Sequence, residues 1–215
     1  MRQRQQLFLS INRILLLLYA PLSVALSVYY LFTGSLLHAL LSLCTLLWIA
    51  LPYIFHRFLH LRIGQLMLFF YMLLILFCYS GGVVLSFSRR IFFYPALSHL
   101  LGGFFFAVAA AAMFCIMTQQ RRIRHLWVAN LFSFGVSLTV STVWQLIQIG
   151  IAYLLPDTQP SVPALVGNCA ACLIGAALFC LLTALQQYKR IHSYPLYAFE
   201  DYAALNVKST IQIIP

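Results

Sequence analysis

The chain alternates between long apolar segments and short polar links. Each apolar segment is about 20 residues or longer, which is the length a helix needs to cross the hydrocarbon core of a bilayer. The sequence therefore predicts an all-α, polytopic membrane protein built as a bundle of six transmembrane helices. The predicted spans cover residues 12–33, 35–56, 64–87, 93–117, 126–154 and 162–185. We expect residues 1–185 to form one six-span domain and residues 186–215 to form a cytoplasmic tail.

Span five carries a single line of polar side chains on an otherwise apolar surface. Successive members are four, four, four and three residues apart: Ser133, Ser137, Ser141, Gln145 and Gln148. This spacing places them on one helical face, which we call the polar seam. Because polar side chains are costly in hydrocarbon, the polar seam should face protein or a water-filled cavity.

Composition supports a membrane protein and excludes several function classes. Of the 215 residues, 63% are apolar and 7% are charged, whereas about 25% of residues are charged in soluble domains. The net charge of +10 comes largely from Lys and Arg in the short links, where anionic lipid is the expected partner and nucleic acid is not. The three acids, Asp157, Glu200 and Asp201, lie outside the predicted spans, which argues against proton-coupled transport and carboxylate catalysis.

Basic residues in the links predict the orientation of the spans. Lys and Arg precede span one and follow spans two, four and six, and cytoplasmic links carry an excess of these residues. Both termini should therefore be cytoplasmic, in the plasma (inner) membrane. Arg89 and Arg90 are the exception, because they fall on the outer side after span three. They are either headgroup contacts or an anion-binding pair.

Polar side chains of spans four to six are predicted to lie at similar depths in the outer half of the bilayer. Counting 1.5 Å per residue from the outer ends of the spans places four of them roughly 9–14 Å deep, with three more just above. The four are His99, Gln145, Gln148 and Asn168, and the three are Tyr94, Arg89 and Arg90. They form either a neutral polar pocket or hydrogen bonds between spans. We interpret the inner serines of the polar seam as packing or helix–helix hydrogen bonds.

Span six holds a strip of small residues and a pair of cysteines. Gly167, Ala171 and Gly175 would permit close packing of helices. Cys169 and Cys172 form a Cys-x-x-Cys sequence that suits a thiol redox protein, although cysteine is also a common buried apolar residue. We expect no metal site and no cofactor, because His99 and Cys172 would lack further ligands.

Three short motifs follow one another along spans four to six. The first runs from Tyr94 through His99 to Gly103-Phe104, the second covers residues 144–149, and the third is Leu173-Ile174-Gly175-Ala176. In their order and their positions on the helices they resemble motifs of the YjdF-like family of bacterial inner-membrane proteins and, more distantly, of VanZ-like proteins. The resemblance covers roughly half of the chain and implies a membrane protein of the cell envelope.

The resembling family carries acidic residues where this chain carries uncharged ones. The uncharged residues are Pro95, Gln145, Gln148, Ala164 and Asn168. If those acids bind a cation or move protons in the family, this protein should not. Amides keep the shape and the hydrogen bonding of the acids, so the resemblance implies a pocket that persists in a neutral form.

The leading hypothesis is a non-enzymatic binding or transport-accessory protein whose neutral pocket accepts a lipid or another amphiphile from the outer leaflet. One alternative is a structural subunit of a membrane complex, or of a homo-oligomer, in which the polar seam binds a partner helix. A second is a membrane enzyme of envelope-lipid chemistry with His99 as base or nucleophile. A third is a thiol redox protein that uses Cys169 and Cys172.

Overall fold

The computed structural model describes residues 2–120, 123–154, 162–189 and 194–210, and the elements in these ranges are helical. Six helical segments are long and apolar enough to cross a membrane, which confirms the predicted all-α, six-span fold class. The elements are α1 (Arg2–Phe32), α2 (Leu36–Leu59), α3 (Gln65–Leu74), a π-helix (Ile75–Val84), α4 (Phe87–Arg90), α5 (Tyr94–Met117), α6 (Leu126–Leu154), α7 (Val162–Lys189) and α8 (Tyr194–Thr210).

Helix α8 was not predicted and lies in the tail, residues 186–215, that was expected to be polar. Its buried apolar residues recur three or four positions apart, at Leu196, Phe199, Ala203 and Val207. This is the periodicity of an amphipathic helix, and Pro195 stands in the first turn, where proline is tolerated. Both signals are present in the sequence, but the polar residues between them obscured the pattern.

Two compact units share the described residues, and each unit holds three of the six spans. Unit 1 takes its residues from 1–92 and 204–215, and unit 2 takes its residues from 93–203. Helix α8 therefore contributes its first part to unit 2 and its last part to unit 1.

Unit 1 is organised around α1, which packs against α2 and α3. Its apolar core consists of Tyr19, Ile49, Leu68, Met72 and Ile75. The hydroxyl of Tyr19 also lies 2.8 Å from Oγ of Ser80, so the core residue that anchors α1 is hydrogen-bonded as well as packed.

The second half of span three is a π-helix rather than the α-helix that the apolar pattern predicts. Its i→i+5 bonding continues to Leu85, whose N–H donates to the carbonyl of Ser80 at 2.8 Å. Side chains satisfy carbonyls near its end: Ser88 Oγ donates to Gly82 O at 2.6 Å, and the Tyr30 hydroxyl donates to Val84 O at 3.0 Å. Non-α backbone is tolerated in a membrane where such groups are satisfied by the protein.

Asn206, a fully buried residue of α8, pairs with the backbone of a single residue in the link after α2. The Arg62 N–H donates to Asn206 Oδ1, and Asn206 Nδ2 donates to the Arg62 carbonyl at 2.9 Å. One side-chain amide therefore satisfies the donor and the acceptor of one residue together.

Unit 2 is built on a point where α5, α6 and α7 meet, which we call the three-helix crossing. Its residues are Gly103, Ser137 and Cys172: Ser137 Oγ donates to Gly103 O at 2.9 Å and lies 3.8 Å from Cys172 Sγ. A Cβ added to Gly103 would overlap the carbonyl of Cys172, and one added to Gly175 would overlap the carbonyl of Leu100. The backbones of α5 and α7 are therefore in direct contact.

The predicted small-residue strip of span six is correct at two of its three positions. Gly175 lies at this backbone contact and Ala171 is buried. The prediction was wrong for Gly167, which is exposed and has no atom within 4 Å of an added Cβ. Close approach of the two backbones therefore includes Gly175 and does not extend to Gly167.

Contacts on one side of the crossing, together with the crossing itself, fix the direction of α6. Toward the other end of unit 2, the ring of Phe114 lies 5.6 Å from that of Phe132. There Thr183 Oγ1 donates to Asn130 Oδ1 at 2.8 Å. Rising residue numbers on α6 thus match falling numbers on α5 and α7, and α6 is antiparallel to both.

Gly103→Ala should destabilise the protein, because the added methyl group cannot fit unless α5 and α7 separate. Overpacking of this kind costs about 1–3 kcal/mol or more. Gly102→Ala is the matched control, because its Cβ would meet only an ordinary contact at 3.9 Å and alanine favours the helix by about 1 kcal/mol. SDS-induced unfolding of the purified proteins measures both; equal stability would contradict the crossing.

Tyr30→Phe should lower the free energy of unfolding by about 0.5–1.5 kcal/mol, because it removes the bond to the π-helix carbonyl of Val84. Tyr29→Phe provides the control, since Tyr29 is adjacent in sequence and largely exposed. The same unfolding assay compares the two variants. An equal effect at both positions would argue against a capped π-helix.

Candidate functional site

The polar seam of α6 faces protein, as the sequence predicts. Ser133 and Ser137 are fully buried, and Ser141 and Gln145 are each 5% exposed. In the described part of the chain α6 packs on α5 and α7, so these four side chains lie on the side turned toward the interior of unit 2. The backbone of Gln148 belongs to the same helix, while its side chain lies outside the described residues.

Hydrogen bonding along the polar seam is uneven. Ser137 makes the helix–helix bond that the sequence analysis expected of the inner serines. Ser133 Oγ, Ser141 Oγ and both amide atoms of Gln145 are buried without a hydrogen-bond partner among the described residues. The polar seam thus consists of one satisfied position at the three-helix crossing, with unsatisfied positions on either side of it.

Among these residues, Gln145 carries the largest free-energy cost to stability. A buried donor or acceptor left unsatisfied costs about 1–3 kcal/mol, and the side chain of Gln145 contributes one of each. A leucine of similar size would have neither cost. The amide is therefore kept at the expense of stability, and its donor and acceptor are available to water or to a ligand.

The three-helix crossing sets the register of the candidate residues. His99 and Asn168 stand four residues before Gly103 and Cys172, and Ser141 stands four residues after Ser137, so all three lie about 6 Å from the crossing along their helices. Gln145 lies one turn farther in the same direction, at about 12 Å. Four-residue spacing keeps each on the face of its helix that makes the crossing.

This register refines the single layer expected from the sequence. Ser141 lies at the same distance from the crossing as His99 and Asn168, which are both half-buried. Tyr94, which is 5% exposed, lies about 13 Å from the crossing, close to the level of Gln145. The level of Ser141 was not predicted because depths were counted from the ends of the spans. The contact between Ser137 and Gly103 fixes the position of α6 along α5 and so corrects this count.

Two of the candidate residues belong to the other unit. Arg89 and Arg90 end the short helix α4 in unit 1. Arg90 is exposed, and the side chain of Arg89 lies outside the described residues. Their role stays a prediction.

The side chains of this site are uncharged, apart from any proton on His99. Lys189, at the end of α7, is the single Asp, Glu, Lys or Arg in the sequences of α5, α6 and α7. No group of three His, Cys, Asp or Glu residues in the described ranges could hold a metal ion. The arrangement can donate and accept hydrogen bonds in an apolar surrounding, which suits binding of a neutral group.

Cys169 and Cys172 are free thiols on α7. The thiol of Cys172 is buried at the crossing, 3.9 Å from the carbonyl of Ser137, and Cys169 is half-buried one turn away. Cys172 thus has a packing role of its own, while the redox use of the pair stays a prediction.

Comparison with known proteins identifies the family of the chain. A family model described as "Predicted membrane protein (DUF2238)" matches residues 12–189, which include most of α1 and the other five spans. Neither the curated proteins nor the solved structures contain a match to this chain. The resemblance to YjdF-like and VanZ-like proteins stays a prediction. Because the match covers most of the 215 residues, the protein belongs to the DUF2238 family of predicted membrane proteins.

Proposed function

We propose that this protein binds an uncharged amphiphile within the membrane, through a neutral polar site that α5, α6 and α7 form around Gln145. Its role is that of a non-enzymatic binding or transport-accessory protein, and the ligand is a lipid or a lipid-like molecule. The observation that carries the proposal is the amide of Gln145, which is 95% buried with neither of its polar atoms paired in the described structure.

The surroundings of the amide support a neutral, largely apolar ligand. His99, Ser141 and Asn168 add hydrogen-bonding groups one turn closer to the crossing, and none of them is an acid. A charged ligand would lose its hydration in this site without gaining an opposite charge. A molecule that already resides in hydrocarbon and carries only a neutral hydrogen-bonding group loses far less hydration energy when it enters the site.

We propose that the protein resides in the plasma (inner) membrane. Positive links predict cytoplasmic termini in the plasma (inner) membrane, and this orientation puts the site in the outer half of the bilayer. The YjdF-like resemblance points to the same membrane. Arg89 and Arg90 would contact lipid headgroups at the outer surface.

A partner helix at the polar seam is the less favoured alternative. Ser133, Ser137, Ser141 and Gln145 are covered by the protein's own helices, so a partner would have to displace α5 or α7 to reach them. Catalysis by His99 has no motivating contact in the structure, since no acid stands on the three helices to orient the imidazole.

Gln145→Leu should abolish lipid binding without lowering the stability of the lipid-free protein. The variant loses the hydrogen-bonding group, so lipid that copurifies with the wild type should be missing from its native mass spectrum. After delipidation in detergent, the variant should be at least as stable as the wild type, because about 1–3 kcal/mol is relieved for each unsatisfied group removed.

Gln187→Leu is the matched control, because it removes an exposed amide from α7 and should change neither measurement. If Gln145 instead joins the helices by hydrogen bonds, Gln145→Leu will be less stable than the wild type after delipidation. That result, or unchanged copurifying lipid, would overturn the proposed function.

A further inference from the structure

Gln145 offers one donor atom, Nε2, and one acceptor atom, Oε1, side by side on a single planar amide. A ligand that uses only one of them leaves the other buried and unsatisfied. The best complement is therefore a group that presents an acceptor and a donor side by side, at the spacing of the Nε2 and Oε1 atoms. Alcohols, ethers and simple esters do not offer this pair in a fixed arrangement.

The chain itself shows which group fits a side-chain amide. The side-chain amide of Asn206 forms hydrogen bonds with both the N–H and the carbonyl of Arg62. These two backbone groups flank one Cα atom. A single amide bond cannot do this, because its trans geometry points the N–H and the C=O in opposite directions. An extended residue holds its own N–H and C=O on one side, as in paired β-strands.

We propose that the ligand of Gln145 is an N-acyl amino acid amphiphile whose carboxyl group is neutral, as an ester or an amide. This inference rests on the proposed function and adds the class of ligand. The amino acid N–H donates to Oε1 of Gln145, its carbonyl accepts from Nε2, and the acyl chain lies in hydrocarbon. The carboxyl group is neutral because no Lys or Arg stands on α5, α6 or α7 at this level to pair with a carboxylate.

Two probes that differ in one atom test the inference. N-dodecanoyl-alanine methyl ester carries the N–H and C=O pair, while O-dodecanoyl-lactic acid methyl ester has an oxygen in place of the N–H. The full-length protein in nanodiscs is titrated with each by native mass spectrometry. The wild type should bind the N-acyl probe roughly 5- to 150-fold more tightly, because the oxygen probe leaves Oε1 unpaired.

Protein variants assign the preference to Gln145. Gln145→Leu should bind the two probes equally, and Gln187→Leu should keep the wild-type ratio. A third probe, N-acetyl-alanine methyl ester, carries the same pair without the long chain and should bind far more weakly. Equal binding of the acetyl and dodecanoyl probes would overturn the amphiphile assignment in favour of a peptide-like ligand.

The remaining outcomes separate this inference from the proposed function. Equal affinity of the wild type for both dodecanoyl probes, with both weakened in Gln145→Leu, refutes the N-acyl amino acid and leaves a neutral amphiphile site in place. Binding of both probes that is unaffected by Gln145→Leu also refutes the inference. The copurifying lipid of the wild type and of Gln145→Leu then decides the proposed function independently.

Discussion

Direct contact between the backbones of α5 and α7 is the constraint on which the rest of unit 2 depends. Two glycines, Gly103 and Gly175, allow it, and each faces a carbonyl of the opposite helix. In a bilayer the apolar surface of a helix is solvated equally well by lipid or by protein, so helices associate through close packing and hydrogen bonds. Ser137 adds such a bond at the same point, and the register of the candidate site residues on α5, α6 and α7 follows from it.

Paired and unpaired polar groups share one helical face. The polar group at the crossing is paired, and those one turn away on either side are not. A protein that needed only helix association would gain by replacing the unpaired groups with apolar ones. The contrast between Ser137 and Gln145, eight residues apart on one helix, is therefore more informative about function than the presence of polar residues alone.

Length and hydropathy were enough to predict the six spans, because a bilayer imposes both on every crossing helix. The face of the polar seam was also predictable, since Ser133, Ser137, Ser141 and Gln145 repeat every four residues. Two features were not predictable from local patterns. The level of Ser141 depends on the contact between Ser137 and Gly103, and the π-helix depends on distant caps such as Tyr30. The helical period of α8 is present in the sequence, but interspersed polar residues obscured it.

The π-helix in span three sets the rotational phase of everything that follows it in unit 1. An i→i+5 helix takes up more residues per turn than an α-helix, so it acts as an insertion distributed over residues 75–84. Loss of one residue there would let the segment tighten to α-helical winding and leave the direction of the following link nearly unchanged, whereas the same loss from an α-helix turns everything after it by about 100°. Span three can therefore absorb a one-residue change in length within residues 75–84 without redirecting the short helix α4 that follows, which a regular α-helix at this position could not do.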